Sequence, residues 1–281
     1  MSDQDSIKVP ETLEGWAVLH HIFRVRWATW NRLGEKEQLQ ILAEAAAHLE
    51  RIAKPPEGES GESALFSLLG HKGDLLVLHF RRTLEQLNEA EISLRRLRLA
   101  EHLEETTSYL SFLELGLYEM TVKLDAELRQ SGLKPDSKEW KEAWKDRMDK
   151  EAQRMGERLY MSIPPDRYLC FYPMNKHRGE NKNWYAVPIG ERQKMMRDHG
   201  FVGRKYAGRV QQIITGSIGF DDWEWGVYLF ARDPLVFKKL VYEMRFDEAS
   251  VWYGEFGPFY TGIRVPPREL PQLFAGRVPS L

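Results

Sequence analysis

Tyr172, Met174 and Lys176 alternate along an apolar segment that opens Tyr168-Leu169-Cys170-Phe171. In an extended strand they project together from one face. A phenol, a thioether and an ammonium side by side make a poor core. They suit a pocket that binds a large, flat, anionic molecule and does redox chemistry on it. Cys170 shares the face, and reads either as a thiolate ligand to iron or as a small buried hydrophobe. His199 ends a predicted helix, Gly190–His199, with Gly200 as its C-cap and Met195 four residues back on the same side. Its imidazole reads either as an axial ligand to haem iron or as a group interacting with the helix dipole. Arg158 and Lys176 flank the apolar strand, where they could match ligand carboxylates, Arg by a planar fork and Lys by a point charge.

Other chemistries lack their residues. The eight histidines include no HExxH or comparable zinc spacing, and adjacent His20 and His21 must face opposite sides of a strand. There is no Gly-x-Gly-x-x-Gly, no Walker sequence and no Gly-x-Ser-x-Gly elbow. The single cysteine, Cys170, excludes an intrachain disulfide and a cysteine-rich metal site, and fits a reducing cytoplasm. A net charge of −2 favours neither nucleic acid nor an anionic membrane. No apolar run reaches the roughly 18 residues of a membrane span, so no integral membrane contact is expected. Aromatic residues make up 12% of the chain, nine of them Trp, which suits heavy core packing or a pocket for a planar ligand.

The elements that must position these side chains follow from periodicity. The 281 residues divide into a flexible tail (1–13), an N-terminal half (14–119), a helical connector (120–165), a C-terminal half (166–264) and a C-terminal surface tail (265–281). In the first half a strand over 15–29 precedes a helix over 35–52 with Leu39, Leu42, Ala46 and Leu49 on one stripe. A loop over 54–61, strands over 64–69 and 74–79, a helix over 83–100 and a strand over 107–117 complete it. The second half repeats the order: a strand over 168–176, the helix 190–199, strands over 210–220 and 223–231, a helix over 234–244 and a strand over 251–263. Two successive βαββαβ units indicate an α+β chain of two ferredoxin-like halves. Trp140, Trp144, Met148 and Met155 form one helical stripe in the connector, which reads as a helix docking on the sheet.

The second half also resembles a known family. Tyr172-Pro173-Met174-Asn175-Lys176, Gly203-Arg204-Lys205-Tyr206-Ala207-Gly208, Gln212-Ile213-Ile214-Thr215-Gly216-Ser217, Asp221-Asp222-Trp223-Glu224-Trp225-Gly226, the run 239–248 and Tyr253-Gly254-Glu255-Phe256-Gly257 occur in order. Together they resemble the coproheme decarboxylases, peroxide-dependent haem synthases of the chlorite-dismutase-like superfamily. The resemblance covers about 158–263 and implies a dimeric α+β barrel assembled as a homopentamer. It implies that His199 ligates the iron, that Tyr172 becomes a radical and that Lys176 stands beside a reacting propionate. It further implies propionate contacts from Arg158, Tyr172 and Ser250, porphyrin contacts from Met174 and Trp225, and Gln212 on the distal side of iron. Glu248 is a candidate to orient His199. The implied substrate is iron coproporphyrin III (coproheme), the oxidant hydrogen peroxide and the product haem b. Chlorite dismutases carry an arginine at the position of Gln212, so a neutral side chain there disfavours chlorite chemistry. A haem carrier or sensor without turnover, and a ferredoxin-like oligomer with no cofactor, are the other readings.

Overall fold

The computed structural model describes residues 9–54 and 61–280. Residues 1–8 of the expected N-terminal tail and 55–60 of the expected loop lie outside the described residues. In the first half, β1 (Thr12–Val25), α1 (Trp27–Trp30), α2 (Glu35–Ala53), β2 (Glu62–Leu69), β3 (Leu75–Arg81), α3 (Leu84–Arg95) and β4 (Leu103–Gly116) follow one another. Two connector helices come next, α4 (Tyr118–Gln130) and α5 (Lys138–Leu159). The second half comprises β5 (Tyr168–Lys176), α6 (Ile189–Arg204), β6 (Gln211–Gly216), β7 (Trp225–Ala231), α7 (Leu235–Met244), α8 (Glu248–Tyr253), β8 (Gly254–Phe256) and β9 (Tyr260–Val265). A short helix, α9 (Leu270–Phe274), ends the described chain.

Each half is a four-stranded antiparallel sheet, β4-β1-β3-β2 and β6-β7-β5-β9. The halves join through β4–β6 and β2–β9. The ladder therefore runs from β7 through β6, β4, β1, β3, β2, β9 and β5 back to β7. Closure leaves those strands no free edge. One set of alternating side chains fills the interior: Val18, Ile22, Phe66, Leu78, Phe80, Leu169, Phe171, Tyr228 and Phe230 all lie in one buried cluster. Each such side chain removed from water contributes about 1.5–3 kcal/mol. The opposite set faces the helices. In the first half Ile41, Leu42, Ala45 and Leu49 of α2 pack on it. In the second, Val236, Phe237 and Leu240 of α7 pack on Cys170, Tyr172, Val227 and Leu229.

Several sequence expectations shift. The first strand starts earlier and stops at Val25, because the chain turns into α1 and buries Trp30. Leu39 is exposed, and the buried stripe of α2 is Ile41, Leu42, Ala45, Ala46 and Leu49. The strand expected over 251–263 is instead the end of α8 followed by β8 and β9. Asp247 caps α8 by accepting from Ser250 N, and Gly257-Pro258 interrupts the pairing with β5. Residues after 265 are not all a loose tail, for Leu270 is fully buried beside Trp30. In the connector, Trp140 is buried while Met148 and Met155 of α5 pack on the central cluster.

Candidate active site

The register of the second sheet gathers the candidate residues. Residues paired directly across antiparallel strands share a face. One row is Cys170, Leu229 and Gln212; the next is Tyr172, Val227 and Ile214; the third is Met174, Trp225 and Gly216. Tyr172, Met174, Gln212 and Trp225 thus lie on a single face, the outer one, and Lys176 continues it opposite Gly254 of β8. Ile214 is 38% exposed and Gln212 is exposed, although both lie inside the sheet. A Cβ on Gly203 of α6 would come within 3.6 Å of Gln212 Oε1, which sets this end of the face beneath α6, one turn beyond His199.

His199 is not at a helix terminus. The helix continues through Gly200 to Arg204, so the expected C-cap is not formed and the helix-dipole reading loses its basis. Its Nδ1 pairs with Asp247 Oδ2 at 3.0 Å. Burial by itself would raise the Asp247 carboxyl. The hydrogen bond and charge of His199, with two bonds from Ser250, hold it below the usual carboxylate range instead. Such a carboxylate fixes the ring and its tautomer and leaves Nε2 as the nitrogen with a lone pair to offer. The orienting group is Asp247, not Glu248. Glu248 occupies the first turn of the six-residue α8, whose cap is Asp247. Ser250, expected at a propionate, directs its hydroxyl and its N–H to Asp247, both at 3.0 Å.

Tyr172 is 5% exposed and stacks on Phe259 with ring centroids 4.5 Å apart. Burial raises its phenol, with Cys170 adding to the rise and Arg245 opposing it. Lys176 is 8% exposed, its Nζ 3.5 Å from the Ala249 carbonyl and 4.5 Å from the centre of the Trp184 ring. It forms no salt bridge among the described residues. Desolvation pulls its ammonium down to about 8, against the opposing pull of Asp247 and Glu224. A buried lysine without a carboxylate in contact is a poor structural element and a ready partner for an incoming acid. Cys170 is buried in apolar surroundings that push its thiol up to about 12. Its place in the apolar cluster with Val236, Phe237 and Leu240 of α7 supports the buried-hydrophobe reading.

Arg158 stands apart. It lies near the end of α5, exposed, with Nη1 3.7 Å from Met155 Sδ. α5 packs on α4, β1 and β4, and among the described residues no hydrogen bond or salt bridge joins Arg158 to the other candidates. Two residues not singled out from the sequence join the face. Glu114 of β4 accepts from Trp225 Nε1 at 3.2 Å, in space left by the missing side chain of Gly216. Its carboxyl is raised by burial and by Glu14 across the sheet, against the indole bond. Glu224 receives the Lys176 N–H at 2.8 Å. Neither shows in a one-dimensional pattern, since Glu114 meets Trp225 across 111 positions and Glu224 meets Lys176 across 48.

The profile of the chlorite dismutase family matches residues 38–265. The chain belongs to the chlorite dismutase family. Within it, the chain is 42% identical over 264 residues to the coproheme decarboxylase of Staphylococcus carnosus, covering 94% of this chain and 97% of that one. A solved structure of a heme-binding protein from Thermus thermophilus superposes with a TM-score of 0.80 at 39% identity, covering 96% and 98% of the two chains. A chlorite dismutase mutant from Candidatus Nitrospira defluvii shares the fold at a TM-score of 0.68 and 18% identity, covering 93% and 96%. No helix among the described residues is long and apolar enough to cross a membrane.

Proposed function

We propose that the protein is a coproheme decarboxylase: it converts two propionates of iron coproporphyrin III to vinyls with hydrogen peroxide, giving haem b. The observation that carries this reading is the register that puts Tyr172, Met174, Gln212 and Trp225 on one sheet face, continued by a buried lysine that forms no salt bridge among the described residues. The residues fit such a substrate. His199, held at Nδ1 by Asp247, would ligate the iron through Nε2. Lys176 would answer a propionate, whose desolvation needs a charge-assisted partner. Met174 and Trp225 would line the macrocycle, with Gln212 on the distal side, where a neutral amide does not favour chlorite. Ser250 acts in this proposal through Asp247. Arg158 could reach a propionate only if its helix end approaches the site.

The iron porphyrin supplies the oxidation when peroxide is reduced on it. The protein supplies a hydrogen-atom acceptor and the charge around it. Oxidised Tyr172 takes one hydrogen atom from the propionate carbon attached to the ring. The bond to the carboxylate then breaks, CO₂ departs, the second electron passes to the peroxide-oxidised porphyrin, and the vinyl forms. For each propionate, one carboxylate, one peroxide and one proton become one vinyl, one CO₂ and two waters. Lys176 holds the carboxylate until it departs and can deliver the proton.

The proposal includes a homopentamer. Phe220, Leu235, Tyr242, Phe246 and Trp252 are large exposed apolar side chains that an assembly would cover. It places the enzyme in the cytoplasm, which the one unpaired cysteine suits. The decisive experiment is mass spectrometry of the protein with coproheme before and during peroxide titration. Two successive losses of CO₂ with two hydrogens support the reading; intact propionates after excess peroxide reject it. Sedimentation analysis tests the assembly separately.

A further inference from the structure

β5 runs past the point where one of its neighbours stops. Its ladder with β7 closes at Met174–Trp225, while pairing with β8 continues to Lys176–Gly254. Successive N–H groups of a strand point to opposite edges. The His177 N–H bonds the Tyr253 carbonyl at 2.8 Å, on the β8 side, so the Lys176 N–H points to the side that β7 has left. A buried N–H there needs an acceptor. Glu224, the residue before β7 and only 8% exposed, supplies it: Oε2 accepts from Lys176 N at 2.8 Å. A second bond runs the other way, for Glu224 N donates to Asn175 Oδ1, also at 2.8 Å. Two side chains thus clamp the end of β5 to the start of β7 where the ladder has ended.

The same carboxylate acts on the Lys176 side chain. Desolvation lowers the ammonium, and Asp247 and then Glu224 oppose it. Asp247 is already engaged by His199 and Ser250. Glu224 has Arg178 Nε 3.8 Å from its other oxygen and the Tyr185 phenol beside it. The groups in contact with the Lys176 side chain are uncharged: the Ala249 carbonyl of α8 and the Trp184 ring, which packs on Tyr253 and Tyr118. Gly254 of β8, paired with Lys176, adds no charge. α6 brings a cation, Arg192, whose guanidinium carbon lies 5.9 Å from the centre of the Tyr118 ring.

We propose that Glu224 is a positioning residue for the decarboxylation: it fixes the main chain of Lys176 so that the ammonium meets the substrate carboxylate, and its negative charge stabilises that ammonium. This role rests on the decarboxylase reading, in which Lys176 answers a propionate. It divides between an oxygen that accepts the N–H and a charge that acts through space.

Two variants separate the parts. In Glu224→Gln the amide oxygen still accepts the Lys176 N–H, but the charge is gone; in Glu224→Leu both are lost. NMR of isotope-labelled lysine, with the Lys176 signal identified by its loss in Lys176→Met, reads the ammonium directly in the chain without coproheme. It titrates at lower pH in Glu224→Gln than in the wild type. With coproheme and peroxide, Glu224→Gln keeps kcat within about twofold at about pH 6, and the alkaline fall in kcat/KM moves down with the titration. Glu224→Leu loses kcat at every pH, by roughly 100-fold for a displacement of about 1 Å. Its ferric coproheme spectrum is retained, because Asp247 holds His199 separately. Asn175→Ala, which removes the acceptor of Glu224 N, lowers kcat in the same direction and serves if Glu224→Leu does not fold. An unchanged Lys176 titration in Glu224→Gln overturns the proposal. So does wild-type kcat in Glu224→Leu or Asn175→Ala, or an equal loss in Glu224→Gln and Glu224→Leu at about pH 6. A wild type that leaves its propionates intact rejects decarboxylation instead, and the lysine titration still shows whether Glu224 acts on Lys176.

Discussion

The two halves share an order of elements and a strand arrangement, yet one closes its outer sheet face and the other leaves part of it open. In the first, α2 presents Ile41, Leu42, Ala45 and Leu49 to the sheet, and Leu65 of β2 is buried beneath them. In the second, α6 occupies the corresponding place with few buried groups, Ile189, Arg192 and Met195, and Ile214 of β6 is 38% exposed. The same fold thus makes an aliphatic cavity in one half and a face bearing a phenol, an ammonium and an amide in the other. What differs is how apolar the covering helix is, and His199 is part of that difference.

Predictions can break this contrast. The largest effect belongs to Tyr172→Phe: coproheme binds with an unaltered ferric spectrum, but peroxide yields no vinyl product by mass spectrometry. Normal turnover would remove the radical role. Next, Leu42→Ala in the closed half lowers unfolding free energy by about 2–5 kcal/mol in urea. It leaves the coproheme spectrum unchanged, because its neighbours are not those of His199. A spectral change there would mean that the halves are not independent.

Asp247→Asn removes the charged acceptor of the His199 ring and weakens coproheme binding about 10- to 100-fold, read by spectrophotometric titration. His199→Ala changes the ferric spectrum itself, and Glu248→Gln changes neither. If Glu248→Gln matches Asp247→Asn, the orienting group has been misassigned.

Lys176 sets a pH dependence. Its ammonium titrates near 8 in the folded chain, below the ordinary 10.5. The cation that meets a propionate is therefore lost as pH rises through about 8, and kcat/KM falls there by several-fold. Lys176→Met is slow and lacks that limb. Stability moves the other way: the unfolded chain binds the extra proton between about 8 and 10.5, so folding gains as pH rises across that window. A wild-type profile flat through that window would exclude Lys176. The smallest effect is expected from Gln212→Ala, with coproheme affinity within about twofold because the amide makes no charged contact.

Much of this was legible in the sequence because it depends on local period. Alternation in β5 put Tyr172, Met174 and Lys176 on one side before any fold was known, and the repeated βαββαβ order pointed to two ferredoxin-like halves. The four-residue spacing put Met195 and His199 on one helix face. Where local signals failed, a nonlocal contact had overridden them. Gly200 reads as a cap, but α6 runs on to Arg204. The segment 251–263 reads as one apolar strand, but Asp247 caps a helix across its start. Leu270 lies in a Pro-rich stretch, and only its burial beside Trp30 makes that stretch part of the core.

The sequence by itself determined most of the elements, the alternation along β5 and the residue types able to ligate iron and carry an oxidation, since each is a property of neighbours along the chain. Only the tertiary structure decided which carboxylate holds His199, which strand brings Glu114 to Trp225 and that the first half encloses an aliphatic cavity. Those depend on strand register and helix placement, which join residues 48 and 111 positions apart and so leave no period in the sequence to read.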